Sequence, residues 1–355
     1  MAKMTGVIEH KFASSDVRIH LQSSPRFDWA VILLGLWMVG GVHLDAWAHH
    51  QFEVETFFTP WHGVLYSGFL ALAAVLVGAY INNLRRGYNW RRAMPVGYEL
   101  SLVGAAIFMA GGFGDMLWHT LFGIEVGIEA LLSPTHLLLA YGSTLMVTGP
   151  LRAAWRRPGD VGQSWIALMP AILSLALLLA VLSFFTAYAH PLSDTMVAMG
   201  HRLASDVQAF NLQGLGISAI LLQSAIMMGV ILLAVHRWRL PIGGLTLIIA
   251  VAYGLTVSIH ENFFLIPFEI LAGLAAEVVY WWLKPSLGRP TAFRWFAFGV
   301  PAVFYALYFL TLALTGGLWW SFNLWSGAIL LAGIAGWLLS YAFIPPQIAD
   351  EKGAR

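Results

Sequence analysis

Residues 111–142 read GGFGDMLWHTLFGIEVGIEALLSPTHLLLAYG and place a polar cluster between two apolar runs. The first run ends in Asp115-x-x-x-His119, and the second begins at the Ser-Pro-Thr-His sequence that ends in His136. Apolar runs of this length are typical of buried helices, so the cluster is predicted where one helix ends and the next begins. The polar residues are therefore expected at one end of a helical hairpin.

The same layout occurs once before, in residues 40–68, which read GGVHLDAWAHHQFEVETFFTPWHGVLYSG. The matching residues there are Asp45, His49, Glu55, Pro60 and His62. One polar cluster that occurs twice between apolar runs indicates a shared purpose. We interpret it as a metal-binding or proton-handling site.

The composition predicts an all-α, polytopic integral membrane protein. Of the 355 residues, 59% are hydrophobic and 10% are charged, whereas a soluble domain carries about 25% charged residues. Apolar runs near or above ~20 residues recur, and backbone groups in hydrocarbon must be satisfied internally, so these runs are predicted to be helices in a lipid bilayer. The net charge of +1 gives no basis for nucleic-acid binding, and the lack of cysteine excludes disulfides and thiolate sites.

The hydropathy pattern predicts about ten transmembrane helices within residues 28–343, between an N-terminal arm (1–27) and a C-terminal tail (344–355). The predicted spans are 28–49, 60–83, 96–119, 134–152, 164–188, 211–235, 241–263, 267–283, 292–314 and 319–343.

Charge asymmetry predicts the orientation of these helices. Of the 19 lysines and arginines, 18 lie at one set of helix ends and only Arg202 lies at the other. The positive-inside rule then places both termini on the cytoplasmic side of the cell membrane. Nine of the 12 histidines lie at the opposite ends, so the polar clusters are expected to face the extracytoplasmic side.

Internal spacing predicts repeated hairpins of ~70 residues. Four histidines recur at intervals of 70, 71 and 70 residues, at His49, His119, His190 and His260. The residues four positions earlier are Asp45, Asp115, Thr186 and Thr256. The predicted repeats are 28–97, 98–168, 169–239 and 240–290, followed by a final hairpin, 291–343, that lacks the motif.

The spacing within each cluster favours metal binding. Asp-x-x-x-His on a helix places both side chains on one face, so either both bind the metal or the aspartate orients the histidine ring that binds it. The pair lies in a last turn, where the helix dipole disfavours a carboxylate unless a cation is near. Thr59-Pro60 and Ser133-Pro134 are typical helix starts, with a hydroxyl N-cap before proline. His62 and His136 are then in a first turn, where the dipole favours the neutral imidazole that binds metals.

The predicted metal ligands are His43, Asp45, His49, His62, Asp115, His119, His136 and His260. Three further acidic residues are candidates for catalytic acid or base, namely Glu55, Glu125 and Glu261. Histidine and carboxylate without cysteine suit zinc, iron, manganese or Cu(II) better than Cu(I). The expected cofactor is therefore a transition-metal ion such as copper, zinc or iron.

One short pattern resembles that of a known family. Asp45-x-x-x-His49-x-x-x-Glu53 resembles, over nine residues, the Asp-x-x-x-His-x-x-x-His pattern in one subunit of membrane copper monooxygenases. Glu53 stands where that pattern has its last histidine, and the resemblance covers no other part of the chain.

These features leave several functions open. The first is a membrane metalloprotein that performs oxidation or metal-assisted hydrolysis. The second is a carrier of divalent metal or protons, favoured by hairpin repeats and by Glu277 near the middle of a span, although no continuous polar path is visible. A haem protein ranks last because the histidines are at helix ends. A structural hydrogen-bond network between hairpins is the non-functional alternative, and no protein partner is indicated.

Overall fold

The structure is a computed structural model that describes residues 21–52, 56–124, 127–157, 165–201 and 207–346. These residues confirm the all-helical class, since they contain no β-strand. The helices are α1 (Pro25–Gln51), α2 (Pro60–Arg85), α3 (Glu99–Phe122), α4 (Ile128–Leu132), α5 (Pro134–Val147), α6 (Gly149–Arg156), α7 (Trp165–Phe185), α8 (Val207–Arg237), α9 (Gly244–Ser258), α10 (Ile266–Leu283), α11 (Pro290–Thr315) and α12 (Phe322–Phe343).

Within these described ranges, eight helices are long and apolar enough to cross a membrane: α1, α2, α3, α7, α8, α10, α11 and α12. The chain is therefore a multi-pass membrane protein. The other two predicted spans correspond to a helix interrupted between α5 and α6 and to the 15-residue α9. The count of ten spanning helices, like the repeated hairpins, stays a prediction.

The interruption between α5 and α6 follows from Pro150. Proline has no N–H to donate to the carbonyl four residues earlier, which is that of Met146. The Ser101 hydroxyl lies 3.3 Å from the Met146 carbonyl oxygen and 3.0 Å from that of Leu145, and the Arg152 guanidinium also donates to Leu145. The break is thus stabilised by side chains of α3 and α6.

The short helix α9 begins against a buried carboxylate. The side chain of Glu277, on α10, accepts hydrogen bonds from the backbone amides of Leu245 and Thr246 at 2.7 and 3.3 Å. The first amides of a helix have no partner within the helix and carry partial positive charge, so a carboxylate there is stabilising. Trp281 donates a further bond to Glu277 at 3.1 Å. Glu277 therefore caps α9 from a neighbouring helix.

Small residues bring the site-bearing helices close together. A Cβ on Gly41 of α1 would lie 2.7 Å from the Leu65 Cα of α2, and one on Gly142 of α5 would lie 2.8 Å from the backbone nitrogen of Phe108 of α3. Such contacts are a common way for membrane helices to pack. They bring α1 close to α2, and α3 close to α5.

The opposite end of this half is fixed by a buried ion pair. Asp28, at the start of α1, pairs with Arg157, which follows α6, and accepts a 2.7 Å hydrogen bond from the Tyr98 hydroxyl before α3. This contact ties the start of α1 to the segments that precede α3 and follow α6, at the end of α1 away from the polar cluster.

Candidate metal centre

The first polar cluster forms a compact group of three side chains, the Asp45 group (Asp45, His49, His62). Asp45 and His49 lie one turn apart near the end of α1, and His62 lies in the first turn of α2. Oδ2 of Asp45 is 3.7 Å from Nε2 of His49 and 3.5 Å from Nε2 of His62. The three residues each offer one ligand atom, and these three atoms lie within 4.8 Å of one another.

The second cluster repeats this arrangement as the Asp115 group (Asp115, His119, His136). Asp115 and His119 lie one turn apart near the end of α3, and His136 lies in the first turn of α5. Oδ1 of Asp115 is 3.5 Å from Nε2 of His119 and 3.3 Å from Nε2 of His136. The same carboxylate oxygen accepts a 3.0 Å hydrogen bond from the Thr135 hydroxyl.

These separations fit ligands that share an ion. An N–H···O hydrogen bond places nitrogen and oxygen ~2.7–3.2 Å apart, so distances of 3.3–3.7 Å are long for direct bonds. Two ligand atoms that each lie ~2.0–2.2 Å from one ion at a tetrahedral angle are about 3.3–3.6 Å apart. In both groups, Nε2 of each histidine faces the carboxylate oxygen at a distance of 3.3–3.7 Å.

The outer ring nitrogen, Nδ1, of both His62 and His136 contacts the hydroxyl of the residue that caps its helix. Thr59 caps α2 by accepting from the His62 backbone amide, and its hydroxyl lies 2.9 Å from His62 Nδ1. Ser133 caps α5 in the same way, with its hydroxyl 2.7 Å from His136 Nδ1. The predicted N-caps are confirmed. Hydrogen bonds to the outer ring nitrogen orient a metal-binding histidine.

A hydrogen bond to the outer ring nitrogen also defines the tautomer of His119. Its Nδ1 lies 3.2 Å from the backbone carbonyl oxygen of Gly123, which can only accept. Nδ1 is therefore the protonated nitrogen, and the Nε2 lone pair is free to bind a cation.

The two groups adjoin across the interface of α2 and α3. The Phe57 ring centroid is 4.7 Å from that of His62 and 6.3 Å from that of His119. Asp45 and Asp115 are near enough to interact electrostatically, as are His62 and His136. Two anionic groups at the boundary of a low-dielectric region repel each other unless cations compensate them.

The groups differ in access to the outside. The side chain of Asp115 is 1% exposed and that of Asp45 is 15% exposed. His49 and His136 are 26% and 21% exposed. The carboxylate is thus buried in the Asp115 group and partly buried in the Asp45 group, and each group has one partly exposed histidine through which an ion or small molecule can enter.

Three further predicted site residues lie outside both groups. His43 is buried; its Nδ1 donates to the Val39 carbonyl oxygen of its own helix, and its ring packs on Phe184. His260 lies in the turn after α9, with its ring centroid 4.3 Å from that of His50. Glu261, in the same turn, accepts a 2.8 Å hydrogen bond from Trp47 of α1. Glu55 and Glu125 lie outside the described residues.

Two neighbours of the groups were not identified from the sequence. Thr135 donates to Asp115, but only one motif copy has threonine there, since Trp61 takes that place in the other. Tyr66 lies one turn after His62, with its ring centroid 6.1 Å from the imidazole. The i, i+4 spacing from His62 is the signal that marks Tyr66.

Comparison of the chain with protein-family models, with curated proteins and with solved structures finds no match. The functional argument therefore depends on the geometry of the two groups.

Proposed function

We propose that this protein is an integral membrane metalloprotein in which the Asp45 group and the Asp115 group each hold one transition-metal ion. The observation that carries the proposal is the spacing of the ligand atoms. In both groups two Nε2 atoms lie 3.3–3.7 Å from one carboxylate oxygen, close to the ~3.3–3.6 Å expected of atoms bound to one ion.

Charge balance supports the same proposal. Among the described residues, no lysine or arginine forms an ion pair with Asp45 or Asp115, and the basic side chains that face each carboxylate are the two imidazoles of its own group. A buried carboxylate without a compensating charge costs several kcal/mol. One divalent ion in each group would neutralise that carboxylate and satisfy both imidazoles at once.

The donor set favours a reactive centre over a purely structural one. Two histidines and one carboxylate form the ligand set of non-haem iron oxygenases and of several zinc hydrolases. Three protein ligands leave coordination positions open for water or substrate, whereas structural zinc sites are closed by four. The proposed activity is therefore oxidation if the native ion is iron or copper, and metal-assisted hydrolysis if it is zinc.

A carrier function has less support. The sequence suggested Glu277 as an intramembrane charge for such a carrier. That carboxylate, however, already accepts hydrogen bonds from the first backbone amides of α9 and from the Trp281 side chain. A side chain used to cap a helix is a poor relay for a transported ion. We place the centre on the extracytoplasmic side of a ten-helix bundle with both termini in the cytoplasm, on the basis of the lysine and arginine distribution.

Metal analysis of the purified protein tests the proposal. After loading with Fe(II), Zn(II) or Cu(II) and removal of excess ion, the wild type should hold about two ions per chain. His119→Ala should hold about one, because only the Asp115 group loses a ligand. His260→Ala is the matched control, a histidine at a helix end outside both groups, and should retain two.

The proposal is wrong if the wild type holds no ion under any of these loading conditions, or if His119→Ala and His260→Ala lose metal equally. The orientation is tested separately. The natural chain has no cysteine, so Gly87→Cys is a single labelling site. Labelling of that cysteine by an impermeant maleimide from outside the cell would place the centre in the cytoplasm.

A further inference from the structure

Tyr66 lies at the junction of the two groups. On α2 it follows His62 by one turn, and its ring stacks near both His62 and Phe57, at centroid distances of 6.1 and 5.8 Å. On the other side it lies against α3 at Gly112, one turn before Asp115. Tyr66 is therefore wedged between the helix that begins with one group's histidine and the helix that ends in the other group's carboxylate.

The fit of Tyr66 against α3 depends on glycine. A Cβ on Gly112 would lie 2.8 Å from Cε1 of Tyr66 and 3.0 Å from its hydroxyl oxygen. Real Cβ atoms are not found that close, so any other residue at this position would displace the ring. The sequence thus leaves room for the phenol beside Asp115.

The hydroxyl of Tyr66 is buried and has no hydrogen-bond partner among the described residues. A buried tyrosine hydroxyl normally finds a partner, because leaving it unpaired forfeits the hydrogen bond that it makes to water when exposed. Asp45 and Asp115 are both close enough to act on this hydroxyl electrostatically. The donor is therefore held between two carboxylates of separate groups without contacting either by a hydrogen bond.

Charge balance indicates what this donor is for, provided that the proposed metal occupancy holds. Two divalent ions exceed two carboxylates by two positive charges, and neutral histidines do not change the balance. An excess of positive charge in a low-dielectric site favours an anion. An anion between the groups can both use open coordination positions and accept a hydrogen bond from the unpartnered phenol.

We propose that the two groups together form a binding site for a small anion with oxygen or nitrogen lone pairs, and that the Tyr66 hydroxyl is its hydrogen-bond donor. This inference rests on the proposed metal site and adds its ligand class. Tyr66 is a ligand-binding residue here, and the metal ions are held by the six histidine and aspartate side chains without it.

Azide binding to the Cu(II)-loaded protein tests the inference, because azide bound to Cu(II) gives a charge-transfer absorption band that reports its dissociation constant. Tyr66→Phe should hold as much copper as the wild type and bind azide about 10-fold to 100-fold more weakly. That range corresponds to one lost hydrogen bond to a charged acceptor. Tyr80→Phe, on the same helix and about four turns further along, should leave azide binding unchanged.

A second pair of variants keeps the tyrosine and moves it. Gly112→Ala should weaken azide binding in the same direction, since the added methyl displaces the ring. Gly78→Ala is its control, because a Cβ there meets no atom within 4 Å. The inference is overturned if Tyr66→Phe binds azide as tightly as the wild type, or if Tyr66→Phe loses copper, which would make Tyr66 structural. Failure of the wild type to bind copper would instead refute the metal site itself.

Discussion

The first half of the bundle and the part that follows α6 place different chemistry at positions with the same spacing. In the first half, the residue four before the histidine is aspartate, at Asp45 and Asp115, and its oxygen faces histidines of two helices. In the second half the corresponding residues are Thr186 and Thr256. Their hydroxyls donate to carbonyls of their own helices, those of Leu182 and Ala252.

The histidines differ in the same way. His49 and His119 lie in the last turns of their helices and point toward a carboxylate. His190 lies beyond the end of α7, fully buried, where its Nδ1 accepts a bond from the Leu192 amide. His260 lies on the surface beside His50. Among the described residues, no carboxylate lies within ion-pair distance of His190 or His260, although Asp194 lines the cavity beside His190.

This contrast bears on the structural alternative. Among the described residues of the second half, helix ends are joined through contacts such as Gln223 to Thr186 and Asn262 to the Leu192 carbonyl, without an aspartate–histidine cluster. A hairpin end of this protein can therefore be tied by neutral hydrogen bonds alone. The two carboxylates of the first half need another reason to be there, and the proposed metal ions would supply one.

The largest expected effect comes from giving the first half the residue of the second. Asp115→Thr should lower metal affinity in the Asp115 group by more than ~100-fold, because it removes a direct ligand, whereas loss of an outer contact costs ~10-fold to 100-fold. The metal-free variant should melt within a few degrees of the metal-free wild type. Isothermal titration with Zn(II) and thermal melting in detergent measure the two quantities. A large loss of stability without metal would show instead that Asp115 is a structural residue.

A smaller effect is expected from the caps that orient the histidines. Ser133→Ala removes both the N-cap of α5 and the contact to His136 Nδ1, so metal affinity should fall ~10-fold to 100-fold. Ser24→Ala is the matched control, since Ser24 caps α1 by accepting from the Phe27 amide and has no histidine contact. Each variant should lose about 1 kcal/mol of helix stability. Equal metal affinity in the two variants would separate the cap from the metal site.

The smallest effect concerns acid sensitivity in the second half. Burial lowers the pKa of His190 from its ordinary 6.5 to about 3. The unfolded chain then binds a proton that the folded chain does not between those values, so stability is fully present above pH 6.5 and falls as the pH drops toward 3. Asp194 and Tyr308 line the small cavity beside this histidine.

His190→Gln should therefore reduce the loss of melting temperature on acidification. The measurement compares metal-free wild type and variant at pH 7.0 and 5.0, so that metal release does not contribute. His201→Gln, a matched change at an exposed histidine, should behave as the wild type does. If the wild type and His190→Gln respond equally to acid, the buried neutral state of His190 is not a source of acid sensitivity.

The sequence by itself determined the helical membrane class and the contents of each polar group. Low charge and long apolar runs require helices, because the bilayer offers no partners for a bare backbone. The i, i+4 spacing places Asp45 with His49 and Asp115 with His119, and the Thr-Pro and Ser-Pro starts place His62 and His136 in first turns. These inferences are local, since they depend only on helix geometry within about one turn.

Only the tertiary structure decided which residues meet across helices. His43 precedes Asp45 by two residues, about 200° around the helix, so it faces Phe184 rather than the Asp45 group. Glu277 caps α9, and Tyr66 lies between the two groups against Gly112, because close packing at small residues sets the rotation and spacing of whole helices. Spacing along one helix fixes a face, but the partner of that face depends on every helix packed around it.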